Sequence, residues 1–123
     1  MIRGTVNARH EIVVPIAVRD AAGQEQPIET ILDTGFTGSL TLPGRVIAGL
    51  GLPWRSRGYA VLANGALEQF DIYAATVAWD GEPCPVLVHS VDSDPLLGTA
   101  LLVGCDLRVR VEIGGGVEIE AIP

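Results

Sequence analysis

The chain has 123 residues, 48% of them hydrophobic, with a mean hydropathy of +0.37. That suits a single domain with one core, spanning residues 1–123, and excludes a disordered chain. A net charge of −7 excludes a nucleic-acid surface, which needs clustered basic residues; here lysine is absent and the arginines are scattered.

The N-terminus MIRGTVNARHEIVV has no apolar stretch after its charge, so no signal peptide is expected, and no window is apolar enough for a membrane helix. Cys84 and Cys105 read as reduced, buried cysteines, which together with the missing leader points to the cytoplasm. Ile2–Val6 and Glu11–Val18 (EIVVPIAV) read as strands, and Pro15 within the second suggests an edge or a bulge. After the polar turn Asp20–Gln26, Pro27–Leu32 returns as a strand that delivers Asp33 at its end. The segment PGRVIAGLGLP has Pro43 at a helix start and Gly49 and Gly51 at its end, giving a helix of barely two turns.

Strands resume at Gly58–Leu62 and Leu67–Val77, joined by Ala63-Asn64-Gly65-Ala66. Asn-Gly predicts a type I′ turn with positive φ at both central residues. A second hairpin turns at Trp79-Asp80-Gly81-Glu82, and Pro85–Val91 (PVLVHSV) follows as a buried strand. Leu96-Leu97-Gly98 precedes a short helix that Thr99 is expected to cap and Gly104 to end. Leu107–Ile113, a Gly114-Gly115-Gly116 turn and Val117–Ile122 complete the chain, and Arg108 and Arg110 fall on one solvated strand face. Strands far outnumber helical turns, so the fold class is all-β: a closed β-barrel or sandwich with one or two short helices.

Within Ile31–Leu40 (ILDTGFTGSL), an apolar strand ends on a carboxylate and the chain then breaks at Gly35 and Gly38. An ionised carboxylate taken out of water is costly unless paired or hydrogen-bonded, so Asp33 has a turn-forming or a chemical role.

Asp33-Thr34-Gly35 after an apolar strand, the exit Leu40-Thr41-Leu42-Pro43, and Leu96-Leu97-Gly98 before a short helix resemble the retropepsin-like aspartic proteases, closest to the small bacterial single-domain members. The resemblance covers nearly the whole chain in order. It implies a closed barrel of the acid-protease type, no metal or organic cofactor, and a catalytic role for Asp33, whose carboxylate activates water. It further implies that Thr34 bonds the two loops of a dimer and that Gly35 lets the backbone turn and donate toward the carboxylate. Leu96, Leu97 and Gly98 are implied to pack across this loop, and Ala63, Asn64, Gly65 and Ala66 to close over a polypeptide substrate as a flap. Phe36 departs from the pattern, standing where Ala or Ser is common in retroviral and pepsin-like members, so the first side-chain pocket is expected to differ. The flap tip also has only one glycine.

Hydrolysis of a peptide by carboxylates needs two of them, one ionised to take a proton from water and one protonated to donate to the carbonyl oxygen. Two such charges about 3 Å apart repel by roughly 5 kcal/mol at an effective dielectric of 20, so the pair holds one proton between them. One chain supplies one such aspartate, and a two-fold axis supplies the second, making the expected assembly a homodimer. Ile2–Val6 and Val117–Ile122 are expected at its interface as apolar edges needing cover.

Other constellations offer less. His10 and His89 lack metal-ligand spacing with Cys or carboxylates and read as surface or satisfied strand histidines. Ser39 lacks a nucleophile elbow, and Cys84 and His89 fall on opposite strand faces. Asp92 and Asp94 either solvate the turn before Pro95 or line the cleft near Leu96. Taken without the resemblance, Asn64-Gly65 is equally a meander turn and Leu96-Leu97-Gly98 ordinary core packing. The expected function is therefore a homodimeric aspartic endopeptidase. The rival readings are a non-catalytic dimerisation or peptide-binding module on the same fold, and a plain barrel scaffold.

Overall fold

A computed structural model describes all residues, Met1–Pro123. The chain is all-β apart from one short α-helix and one 3₁₀ turn. The strands are β1 (Ile2–Val6), β2 (Ile12–Arg19), β3 (Glu25–Leu32), β4 (Leu40–Leu42), β5 (Trp54–Val61), β6 (Leu67–Trp79), β7 (Glu82–Ser90), β8 (Leu96–Leu97), β9 (Cys105–Val109) and β10 (Gly116–Ala121). All belong to one sheet in the order β5-β6-β7-β4-β8-β3-β2-β1-β10-β9, and an extra pairing of β6 with β2 closes six of them into a ring.

Side-chain alternation decides what the ring encloses. In β2, Val14, Ile16 and Val18 are buried while Pro15 and Arg19 face out; in β7, Val86 and Val88 are buried and Leu87 is exposed. These residues join Leu32, Leu40, Leu42, Val77 and Leu97 in one core cluster. Thr30, wholly buried on β3, donates its hydroxyl to the Val14 carbonyl at 2.7 Å, so the core polar group is satisfied. Pro15 lies between the residues that pair with β1 (Ile12, Val13) and those that pair with β6 (Ala17, Val18). The proline thus occupies a local edge inside an interior strand, where its missing N–H breaks no ladder on that flank.

The helix α1 (Gly44–Leu50) follows its sequence signals: Pro43 is its N-cap, Gly51 closes it at φ 68°, and Ile47 and Leu50 are buried. No helix is long and apolar enough to cross a membrane.

Several elements differ from the sequence expectation. The Asp80-Gly81 hairpin has both central residues at positive φ, 51° and 81°, as a type I′ turn requires, but at Asn64-Gly65 only Gly65 is left-handed, at 83°. There the Gly65 N–H donates to Leu62 O and the Leu62 N–H to Ala66 O, a longer loop in which glycine alone takes the strained position. Thr99 does not cap its helix: Gly98 is the N-cap, and Thr99 begins the 3₁₀ turn Thr99–Leu102. The alternating run Leu107–Ile113 leaves the sheet at Val109, because Gly115 packs against the Arg110 carbonyl and the Gly114 N–H pairs with Val6 O. β1 and β10 are not open edges, since they pair with each other and with β2 and β9; the open edges are β5 and β9. Cys84 and Cys105 are free but only half-buried, packed at the margin of the core.

Candidate functional site

β3 and β4 form the two legs of a loop, residues 33–39, and β8 threads between them. It runs parallel to β3 (Ile31 opposite Leu96, Leu32 opposite Leu97) and antiparallel to β4 (Leu97 opposite Leu40, Leu96 opposite Thr41). Hydrogen bonds extend this join around the loop. The Asp33 N–H donates to Leu97 O at 3.0 Å, the Gly98 N–H to Ser39 O at 2.9 Å, the Thr99 N–H to Phe36 O at 2.9 Å, and the Ala100 N–H to Gly38 O at 3.1 Å. The Thr99 hydroxyl also donates to Phe36 O, at 3.3 Å, and the Thr41 hydroxyl accepts the Leu96 N–H at 2.9 Å. Gly98 is buried directly beneath Gly38: a Cβ there would collide with the Gly38 carbonyl oxygen.

Inside the loop, the Gly35 N–H donates to Asp33 Oδ1 at 2.8 Å and the Phe36 N–H to Asp33 O at 3.0 Å. The carboxylate is thereby aimed through one oxygen, and Oδ2 accepts no hydrogen bond within the chain. Asp33 is half-buried, not enclosed, and Thr34 and Gly35 are exposed at the loop tip. The strand does end on a carboxylate, but at the surface of a single chain, where solvation offsets the cost of the charge.

Beside this loop lies a cavity of about 440 Å³ lined by Phe36, Thr41, Tyr59, Phe70, His89 and Leu96 among others. The His89 ring stands edge-on to Phe36, centroids 5.5 Å apart, and tilts against Phe70 at 4.8 Å. Burial pushes the His89 imidazole below its ordinary pKa, and neither ring nitrogen bonds to another group of the chain. His89 also lines a neighbouring cavity of about 480 Å³ with Gly38, Ser39, Arg55 and Leu87.

Hydrogen bonds tie Asp33 to Gly35 and Leu97, Leu96 to Thr41 of β4, and Gly98 to Ser39 of the same loop, while Thr34 sits at the tip without a hydrogen bond in the chain. Ala63, Asn64, Gly65 and Ala66 lie exposed at the far end of the β5–β6 hairpin, whose stem (Tyr59, Ala60, Glu68–Phe70) lines the first cavity. Asp92 lies in the wall of that cavity with Leu96, while Asp94 lies in a different one beside Asn7 and Glu11. His10 is in an exposed turn at φ 62°, and no three His, Cys, Asp or Glu side chains gather where a metal would be held.

The sequence reading of His89 as a surface or satisfied strand histidine does not hold, since the ring is half-buried and without a hydrogen-bond partner, and Phe70 was not singled out. The signal was available in PVLVHSV: with Val86 and Val88 inward, period two places Leu87 and His89 on the opposite face, which is the cleft face. No protein-family profile matches the chain and no curated protein matches it.

Proposed function

We propose that two copies of this chain form an aspartic endopeptidase of the retropepsin type, each subunit a closed β-barrel that contributes one Asp33 to a shared site. The observation that carries this reading is β8 threaded between the two strands that flank Asp33, with Gly98 against Gly38. Such a brace fixes the backbone of residues 33–39 from below and leaves its carboxylate and tip facing out, as a site completed by a second copy requires. The ring of six strands supports the barrel.

In the proposed dimer, the Gly35 N–H holds Oδ1 and leaves Oδ2 for a water molecule. The ionised carboxylate takes a proton from that water as its oxygen attacks the peptide carbonyl, and the protonated partner donates to the carbonyl oxygen. The carboxyl that took the water's proton then passes it to the leaving nitrogen as the C–N bond breaks, and a hydroxyl of the diol so formed returns its proton to the other carboxylate. Thr34, exposed beside the carboxylate, bonds the opposing loop, and the β5–β6 hairpin covers the bound polypeptide. The two unpaired cysteines support a reducing compartment such as the cytoplasm.

The test is incubation with a diverse peptide library between about pH 4 and 7, with Asp33→Asn alongside. Asn keeps an oxygen for the Gly35 N–H but cannot ionise, so the variant is expected to fold as the parent does and to hydrolyse nothing. Hydrolysis by the variant at the parent rate would overturn the mechanism. Binding of peptides without hydrolysis by either protein would favour the binding-module reading.

A further inference from the structure

The cavity beside the Asp33 loop has a wall of rings for which the backbone clears room at two points. A Cβ at Gly38 would lie 2.5 Å from Phe36 Cζ and 3.3 Å from His89 Cε1, and a Cβ at Gly58 would lie 2.5 Å from Phe70 Cζ. Only the absence of side chains at 38 and 58 lets Phe36, His89 and Phe70 stand in contact. With Leu96 they give the cavity an apolar, aromatic lining.

Its charge is one-sided. Glu68 and Asp92 both line it, and no Arg does. The register sets Gly58 opposite Phe70 and Ala60 opposite Glu68, so period two carries Glu68 on the same strand face as Phe70, toward the rings. Neither carboxylate is neutralised by the chain, whose ion pairs use Asp80, Asp71 and Glu118 instead. Burial also disfavours the cationic form of His89. Of the nearby cations, Arg55 lines the neighbouring cavity beyond His89, and Arg57, next to Gly58 on β5, lies 3.8 Å from Asp71.

From this we infer that the cavity is a side-chain subsite for a basic residue of the substrate, arginine or lysine, with Glu68 and Asp92 receiving its charge. The substrate role rests on the protease reading above; the ligand chemistry rests on the cavity alone. A long aliphatic stem buries itself against Leu96 and the rings while its cationic head reaches carboxylates, and a guanidinium also stacks on the faces of Phe36 and Phe70. About 440 Å³ is ample for one such side chain. An acidic side chain entering the same space meets two like charges that no ion pair of the chain neutralises. This also gives Phe36 a purpose, as the wall of the subsite built onto the catalytic loop.

Two measurements separate this inference from the reading it rests on. In the first, Asp33→Asn protein with labelled histidine is titrated with end-blocked Ala-Arg-Ala, Ala-Leu-Ala and Ala-Glu-Ala while the His89 ring resonances are followed. The arginine peptide is expected to shift them saturably and the glutamate peptide to leave them unmoved. Adding Glu68→Gln and Asp92→Asn is expected to weaken the arginine response about tenfold or more. Both positions are exposed, so these substitutions leave the core untouched. Equal responses to arginine and leucine, or an undiminished response in the doubly neutralised protein, would overturn the subsite. In the second, peptides cut by the parent protein are sequenced, and Arg or Lys is expected to be enriched at one fixed position from the cut, the enrichment vanishing when Glu68 and Asp92 are neutralised. Cutting without that enrichment removes the subsite and leaves the protease. Arginine binding without any cutting removes the protease and leaves the subsite.

Discussion

A methyl group at position 98 would fall on the Gly38 carbonyl oxygen and 2.6 Å from the Phe36 ring. The backbone there is extended, at φ −100° and ψ 173°, so space alone forbids a side chain. Gly98→Ala is expected to cost about 3 kcal/mol, because its neighbour is a hydrogen-bonded backbone that cannot give way. Gly116→Ala, where nothing lies within 4 Å, is expected to stay within about 1 kcal/mol of the parent. Urea unfolding of the two variants decides it, and equal midpoints would contradict the account of β8. His89 makes a second expectation at this scale. Burial lowers its pKa below the ordinary 6.5, so as pH falls the unfolded chain takes the proton first. The stability from the neutral ring is whole above about pH 6.5 and is lost as pH drops toward the depressed value. Thermal unfolding of the parent and of His89→Gln at about pH 7.5 and 5.5 should show the parent losing more on acidification. A parallel fall would place His89 in water. Asp33 and Gly98 were legible in the sequence because each stands in a recognisable local pattern. For His89 only its face was legible, opposite Val86 and Val88; its surroundings were not, because Phe36 and Phe70 reach it only through the fold.

Among the elements, the β5–β6 hairpin stands apart. β5 borders the sheet with nearly every residue exposed, and the run from Tyr59 to Gln69 has no buried side chain. Few apolar contacts hold such a segment, so it opens locally more often than strands paired on both sides. Amide exchange of Tyr59–Leu67 is expected to run at least about 100-fold faster than that of β2 and β3, and matching protection would remove the hairpin as a moving cover. Local chemistry told most about elements whose turns are self-contained. Asp80-Gly81 needed only its own two dihedrals, and Pro43 and Gly51 bracket α1 as the sequence indicates. It told least where a distant carbonyl competes. Arg-Val-Glu-Ile at 110–113 has strand periodicity, but the glycines that follow are drawn to Val6 and Arg110, and the strand stops short.

At the scale of the whole molecule, the proposed dimer makes a numerical expectation. If each site needs two Asp33 side chains, an equal mixture of parent and Asp33→Asn chains, exchanged by mild unfolding and refolding, retains about a quarter of the activity of an all-parent sample. Independent subunits would retain about half, and that result would end the dimeric reading. Differently tagged chains report that exchange took place. The all-β class was legible in composition and turn spacing. The ring was not, because the pairing of β2 with β6 and the insertion of β8 between β3 and β4 are long-range choices that periodicity does not encode. A two-residue strand carries no pattern of its own, and only the resemblance of Leu96-Leu97-Gly98 to a known family drew attention to it.

The insertion of β8 also sets an order of events during synthesis. Thr99 follows Phe36 by 63 positions, which at roughly 5 to 20 residues per second is a wait of about 3 to 13 s on the ribosome. Throughout that time the segment bearing Asp33 has no partner for its Asp33 N–H or for the carbonyls of Phe36, Gly38 and Ser39. Such distant pairing pays a large closure entropy and is among the slower steps of folding. A nascent chain therefore carries Asp33 in an unformed loop until most of its length has been made, and the proposed site would then need a second finished copy as well. If the proposed dimer forms, its activity stays switched off by topology alone while its own chains are being assembled.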